Sequence, residues 1–182
     1  MEDLFAWATT HQLEHKCGAA PYQSGQVLLN LLNHYQPKQV LEIGAGVGYT
    51  TILIAQQLAK QKQSHLVSLE KDLSHFELAT ELIREHRLQD YISLLNVEAE
   101  DYLEDQSVLS QSFDLIFFDG FQIHYQFLQP YQRLLKPQGV LILGNNHLTS
   151  RTSNQFFEEI LNNGLWKQIS SFEDTTVYQK IK

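Results

Sequence analysis

The sequence predicts an α/β fold built on a doubly wound sheet of seven strands. The sheet is expected to be mostly parallel, with an antiparallel C-terminal strand, and to be preceded by two helices. Three observations point there. Short apolar runs alternate with stretches of helical periodicity from residue 39 to residue 161, the pattern of βα units wound right-handed into a parallel sheet. Runs such as Leu115-Ile116-Phe117-Phe118 are apolar without alternation, as strands covered on both faces are. The tail departs from this pattern. Residues 166–172 and 175–181 both read as strands and only Glu173-Asp174 separates them; strands joined that tightly pair antiparallel.

The elements follow in order. Residues 2–15 and 24–35 read as helices, with Pro21-Tyr22 in the loop between them. The second is amphipathic, with Val27, Leu28, Leu31, Leu32 and Tyr35 spaced to pack on a sheet. Strand one covers 39–43, and a helix over 49–60 places Ile54, Ala55, Leu58 and Ala59 on one face. Strand two is 65–70; Phe76, Leu78, Ala79, Leu82 and Ile83 mark a helix ending near His86. Strand three covers 91–96, a short helix 98–103 and strand four 113–119. A helix through Leu128, Tyr131 and Leu135 is expected to end before Pro137, with Gly139 turning into strand five at 140–144. Ser153 is the expected cap of a helix to Leu161, which Asn163-Gly164 terminates. The chain reads as one domain over 1–182: a helical cap at 1–36 and a core at 37–182.

Bulk properties narrow the function. A composition of 43% hydrophobic and 19% charged residues is that of a soluble globular protein. The net charge of −8 and the lack of a basic block beyond Lys60-Gln61-Lys62 argue against a nucleic-acid partner. Apolar runs are too short to span a bilayer. The opening MEDLFAWATT has neither a basic n-region nor a long apolar h-region, so no signal peptide is expected. The single cysteine, Cys17, excludes an intrachain disulfide and suits a reducing, cytoplasmic compartment.

The stretch VLEIGAGVGYTT, residues 40–51, carries the chemistry. In an open parallel sheet, ligands sit outside the carboxyl ends of the strands where strand order reverses, and the turn after strand one is the usual place. Gly44, Gly46 and Gly48 would let backbone approach a ligand closely. A dinucleotide fingerprint would need its third glycine at Tyr49. Glu42 counts further against a pyrophosphate, since a carboxylate at the pocket favours a cation. S-adenosyl-L-methionine carries a sulfonium and an ammonium and no phosphate. Glu70 ends strand two, 22 residues after Gly48, where a carboxylate can accept both ribose hydroxyls. Glu98-Ala99-Glu100-Asp101 follows strand three, where adenine would lie, and Asp119 closes strand four beside the methionine end.

With these motifs the chain resembles class I S-adenosylmethionine-dependent methyltransferases, and within them the catechol and caffeoyl-CoA O-methyltransferase group. PYQSGQVLLNLL resembles that group's segment ahead of strand one, and VLEIGAGVGYTT its first motif. VSLEKD resembles its ribose-acid motif, FDLIFFDG its strand-four motif and LLKPQGVLILGNN its approach to strand five. The resemblance implies a Rossmann-like sheet of seven strands whose last strand inserts antiparallel. It assigns Glu42, Gly44, Gly46, Gly48, Thr50, Glu70 and Asp119 to the methyl donor and places Ala99 and Glu100 beside adenine.

The chain departs from that group at the catalytic positions. Metal-dependent members carry D-A-D-K after strand four and D-N after strand five, holding a divalent cation and a lysine base. Here Asp119-Gly120-Phe121-Gln122 and Asn145-Asn146 stand in those places. Losing one carboxylate to Asn145 weakens a hard-cation site, and Gln122 takes no proton near neutral pH. No metal ligands are therefore assigned. The histidines nearest the rim, His124 and His147, are with Asp119 the candidates for catalysis, because imidazole titrates near neutrality. The remaining histidines show no metal-ligand spacing, and Cys17 reads as a small buried residue. Tyr22, Phe121 and Tyr125 are candidates to line an acceptor site, under a lid formed by the N-terminal helices. That region is short, which leaves the site either open or completed by a second subunit of a homodimer.

The expected activity is methyl transfer to a small-molecule acceptor, most simply its oxygen, by direct displacement. Positioning the reactants in line supplies roughly 7–11 kcal/mol. Two other readings stay open: an S-adenosylmethionine-binding protein with little catalysis, and a methyltransferase of tRNA nucleosides.

Overall fold

The computed structural model describes residues 2–105, 107–121, 123–145 and 150–182. Two helices, α1 (Glu2–His15) and α2 (Gly25–Tyr35), precede β1 (Gln39–Ile43), α3 (Tyr49–Leu58), β2 (His65–Glu70) and α4 (Leu73–Glu85). Then come β3 (Ile92–Asn96), α5 (Ala99–Glu104), β4 (Phe113–Phe118), α6 (Leu128–Leu134), β5 (Leu135–Leu143), α7 (Arg151–Asn162), β6 (Trp166–Phe172) and β7 (Thr175–Lys180). The seven strands form one sheet in the order β3-β2-β1-β4-β5-β7-β6. β7 lies antiparallel between β5 and β6, and the pairs among β1 to β5 are parallel. The strand order reverses between β1 and β4, so the ligand crevice of such a sheet falls outside their carboxyl ends. Among the described residues, no helix is long and apolar enough to cross a membrane.

Alternation along each strand divides the core. Leu41, Ile43, Ile116 and Phe118 pack with Tyr131 and Phe156 of α6 and α7 on one face. Val40, Leu66, Leu115 and Phe117 pack with Leu28, Leu32, Ile52 and Ile54 of α2 and α3 on the other. A third cluster joins Ala8 of α1 to Val47, Tyr49 and Leu53.

Some boundaries differ from the sequence reading. The helix expected through Leu135 stops at Leu134, and Leu135 already pairs with Phe113 as the first residue of β5. Helix gives way to strand without a loop because Lys180 Nζ donates to the carbonyls of Gln132 and Leu135, each at 2.7 Å. These helix-end acceptors would otherwise lack a partner. Residues 137–139, read as a turn, form an irregularity inside β5, with Gln138 at φ 64°. The cap of α7 is Ser150, and Ser153 is the reciprocal partner three residues on, a capping box.

The β6–β7 turn is tied back to the N-terminal region. Ser24 Oγ donates to Asp174 Oδ1 at 2.9 Å, and the Tyr22 hydroxyl shares a short hydrogen bond with Thr175 Oγ1. The Tyr22 ring meets Phe117 edge to face at 5.2 Å. Residues 21–24 are thereby anchored on the sheet's antiparallel strand.

Gly48 caps α3 at φ 99°, and a Cβ there would come within 3.2 Å of the Ala79 backbone on α4. Gly48→Ala is therefore expected to destabilise the fold by about 1–3 kcal/mol, from left-handed strain plus the clash. Urea unfolding followed by circular dichroism measures it; a change under 0.5 kcal/mol would contradict this packing.

Candidate functional site

A crevice of about 480 Å³ opens at the carboxyl ends of β1, β2 and β4. Three segments build most of its wall: the glycine turn after β1, the segment from Glu70 to His75, and the loop of residues 18–22 between α1 and α2. Val97 to Glu100 and Phe118 to Phe121 complete it, with His124 and Phe127. The N-terminal wall is thus the interhelical loop, where the sequence suggested a lid of helices.

The glycine turn comes close to the end of β4. A Cβ on Gly44 would stand 2.9 Å from the Asp119 carbonyl oxygen, and Gly44 sits at φ 93°. The turn is held by Glu70: its Oε2 accepts from the Gly46 N–H at 2.7 Å, and its Oε1 from the Asp72 N–H at 2.8 Å. Each oxygen keeps a lone pair for a further donor. Asp72 in turn caps α4, accepting from the backbone N–H groups of Ser74 and His75. One carboxylate therefore links the first two βα turns.

Glu42 lies elsewhere than its motif suggested. It shares the face of Val40, which α3 covers, and so it sits beneath the turn and outside the crevice lining. It is fully buried, and its Oε2 accepts from Thr51 Oγ1 and Ser68 Oγ, both at 2.6 Å. Its Oε1 is buried with no partner among the described residues. Burial pushes its carboxyl above the ordinary range against these hydrogen bonds, and the nearby Glu70 charge adds to the shift. Gly48 also lies outside the lining, because it faces α4.

Gly44, Gly46, Thr50, Glu70, Ala99, Glu100, Asp119 and His124 all line the crevice. Asp119 is held well above the carboxylate range, first by burial and then by the Glu42 charge. Its Oδ1 accepts from Asn145 Nδ2 at 2.9 Å. Phe121, 76% exposed, stands at the mouth and Tyr22 lines the crevice from a buried position, whereas Tyr125 lies outside the lining. His147, Asn146 and Gln122 lie outside the described residues.

Sequence reasoning missed Asp72, His75 and the small residues 18–20. The Asp72-Leu73-Ser74 run is a helix-start signal that could have drawn attention to Asp72; nothing local marks the others. Five acids line the crevice, Glu70, Asp72, Glu98, Glu100 and Asp119, against one lysine, Lys71. Lys71 already lies 3.6 Å from Glu98. Such a surface attracts a cation and repels phosphate.

Known proteins resemble this chain in sequence and fold. The O-methyltransferase family profile matches residues 1–154. Catechol O-methyltransferase B of Danio rerio is 27% identical over 67% of this chain and 45% of its own length. Catechol O-methyltransferase of Niastella koreensis is 32% identical over 67% of this chain and 55% of its own. The chain spans about half the length of these curated relatives. An O-methyltransferase from Bacillus cereus, solved with S-adenosylhomocysteine, superposes with a TM-score of 0.84 at 21% identity, covering 99% of this chain and 91% of that one; at that identity the likeness is one of fold.

The folded state holds the Glu42 proton more tightly than the unfolded chain does. Stability from this group is therefore complete below its ordinary value of 4.5 and is lost as pH rises through its elevated folded value. Glu42→Gln removes this dependence and relieves the pressure on Asp119. Urea unfolding across pH is expected to show the wild type losing ground to the variant by up to about 1.4 kcal/mol per pH unit in that window. Parallel pH profiles for the two proteins would contradict it.

Proposed function

We propose, on the premise that this chain belongs to the O-methyltransferase family, that it transfers a methyl group from S-adenosylmethionine to an oxygen of a small-molecule acceptor. The observation that carries this reading is Glu70, seated in the crevice with both oxygens fixed by backbone N–H groups and a lone pair left on each. That is the acceptor geometry a ribose diol needs. The volume lies within the range of small-molecule sites, about 300–1,000 Å³. The acidic lining and the unpartnered Glu42 Oε1 fit a donor bearing positive charge. When bound, that donor supplies a methyl group activated on a sulfonium.

The chain's own residues then divide the work. Glu70 holds the ribose, Ala99 and Glu100 border adenine, and Gly44, Gly46 and Thr50 cradle the methionine portion. Glu42 acts from below, through its field. Asp119 and His124 both line the crevice and are the groups we assign to take the acceptor's proton. Asp119 suits that role because burial and the Glu42 charge raise its proton affinity. Phe121 gives the acceptor a ring to pack on and leaves that end open to solvent or to a second copy of the chain.

The residues present do not fit a hard divalent cation at the place where relatives of this resemblance hold one. Asp119 stands there as a single carboxylate, and Asn145 directs an N–H donor at it where a second anionic ligand would be needed. We infer transfer without Mg²⁺. The same amide favours a second reading, a protein that binds the donor and transfers nothing.

Calorimetry with S-adenosylhomocysteine is expected to show binding that Glu70→Ala weakens by about 1–3 kcal/mol. Turnover on phenolic acceptors is expected to be the same with and without millimolar Mg²⁺, and His124→Ala is expected to lower kcat about 100-fold or more. Binding with no transfer to any acceptor would establish the second reading. A rate that requires Mg²⁺ would overturn the metal-free one.

A further inference from the structure

Away from the methyl-donor contacts, the packing of α1 beside α4 brings together side chains that the reaction does not use. One ligand atom each from His11, Cys17 and His75 lies within 4.8 Å of the other two. The His11 and His75 rings meet edge to face, with centroids 5.9 Å apart. His11 and Cys17 are half-buried, and His75 is 9% exposed. His15, one helical turn beyond His11, stacks on it at 4.4 Å. These residues line a second groove of about 510 Å³, whose other walls include Asp72, Ser74, Glu77 and Glu81.

We propose that His11, Cys17 and His75 form a binding site for a borderline-soft divalent transition metal, with zinc the best match and His15, stacked on His11, filling the fourth position. One thiol and imidazole nitrogens are the donor set of zinc and its neighbours, and a poor one for Mg²⁺ or Ca²⁺. Zinc bonds of about 2.0–2.3 Å put tetrahedral ligands about 3.3–3.8 Å apart. Closing from within 4.8 Å therefore asks for rotamer adjustments at two or three side chains and leaves the backbone in place. His11 and His15 stand four residues apart on one helix face, a spacing that lets two imidazoles share an ion. Asp72 Oδ1 lies 3.9 Å from His75 Nδ1, a carboxylate of the kind that orients metal-bound imidazole.

The site abuts the crevice. Residues 18–22, which follow Cys17 directly, form the crevice's N-terminal wall, and Asp72 and His75 line both cavities. A bound metal would pin α1 to α4 and set the position of that wall. This consequence rests on the donor reading of the crevice; the metal site does not.

The test uses the full chain, kept reduced, with Co²⁺ as the probe and no adenosyl ligand. The wild type is expected to bind one equivalent, with a thiolate-to-cobalt charge-transfer band and the intense visible bands of tetrahedral cobalt, and Zn²⁺ should displace it. Cys17→Ser should lose the charge-transfer band. His11→Gln and His75→Gln should each weaken binding at least tenfold, and His34→Gln, on exposed α2 surface, should leave it unchanged. Melting temperatures measured without metal check that each variant folds. Zn²⁺ should raise the melting temperature of the wild type and leave that of His11→Gln unmoved. A wild type that shows no charge-transfer band, a band that survives Cys17→Ser, or equal losses in His34→Gln would overturn the site.

Discussion

The buried Glu42 carboxylate is the constraint around which the rest is arranged. It comes from the middle strand, is held by a hydroxyl from α3 and another from β2, and retains one oxygen without a described partner. An acid so placed costs several kcal/mol unless it is paired with a cation or protonated. Among the described residues, none supplies a cation to it. The fold puts further carboxylates, Glu70 and Asp119, close enough to be felt. Stability alone would favour an apolar residue at position 42. Maintaining this concentration of acid under a glycine turn makes physical sense when a positive charge arrives from outside.

The same logic accounts for Glu70. A carboxylate that accepts two backbone N–H groups is fixed in place before any ligand binds, so little ordering remains for binding to pay for. Gly44 serves the same end by another route. Its missing side chain lets the β1 turn lie against the Asp119 carbonyl, which brings the ends of the two central strands to one wall. Preorganised anions and exposed backbone here need no movement of the sheet.

What the sequence revealed and what it hid divide along physical lines. The βα alternation, the glycine turn and the terminal hairpin were legible because each is written in a few neighbouring residues. The end of α6 was not, since it depends on Lys180, which is 45 positions from the carbonyl of Leu135 that it satisfies. Glu42 was legible as a residue but not in its burial: motif spacing gives its position along β1, while its direction follows from the two-residue period, which sends it with Val40 under α3. The His11–His15 pair does carry a four-residue spacing that the sequence reading passed over, but Cys17 and His75 lie outside that helix, and only the packing of α1 brings His11, Cys17 and His75 together.

On the proposed reading, the acids also bear on the direction of the cycle. The donor carries a sulfonium that its demethylated product lacks. Burial holds the protons of Glu42 and Asp119 above their ordinary affinity, and a sulfonium beside them favours proton release, so by linkage the ionised acids favour the charged donor over a product without the sulfonium. Their field therefore binds donor more strongly than product and eases the exchange that must follow each transfer. The price is that part of this attraction is uniform binding, which lowers the donor's concentration requirement without speeding the chemical step. Acceleration must come from the acceptor side, where Asp119 lines the crevice with His124 and has Asn145, a neutral donor, in place of a second carboxylate. An amide hydrogen bond there tempers the proton affinity of Asp119 that burial raises. On that reading, the amide in place of a second carboxylate is also the group that tunes the remaining acid.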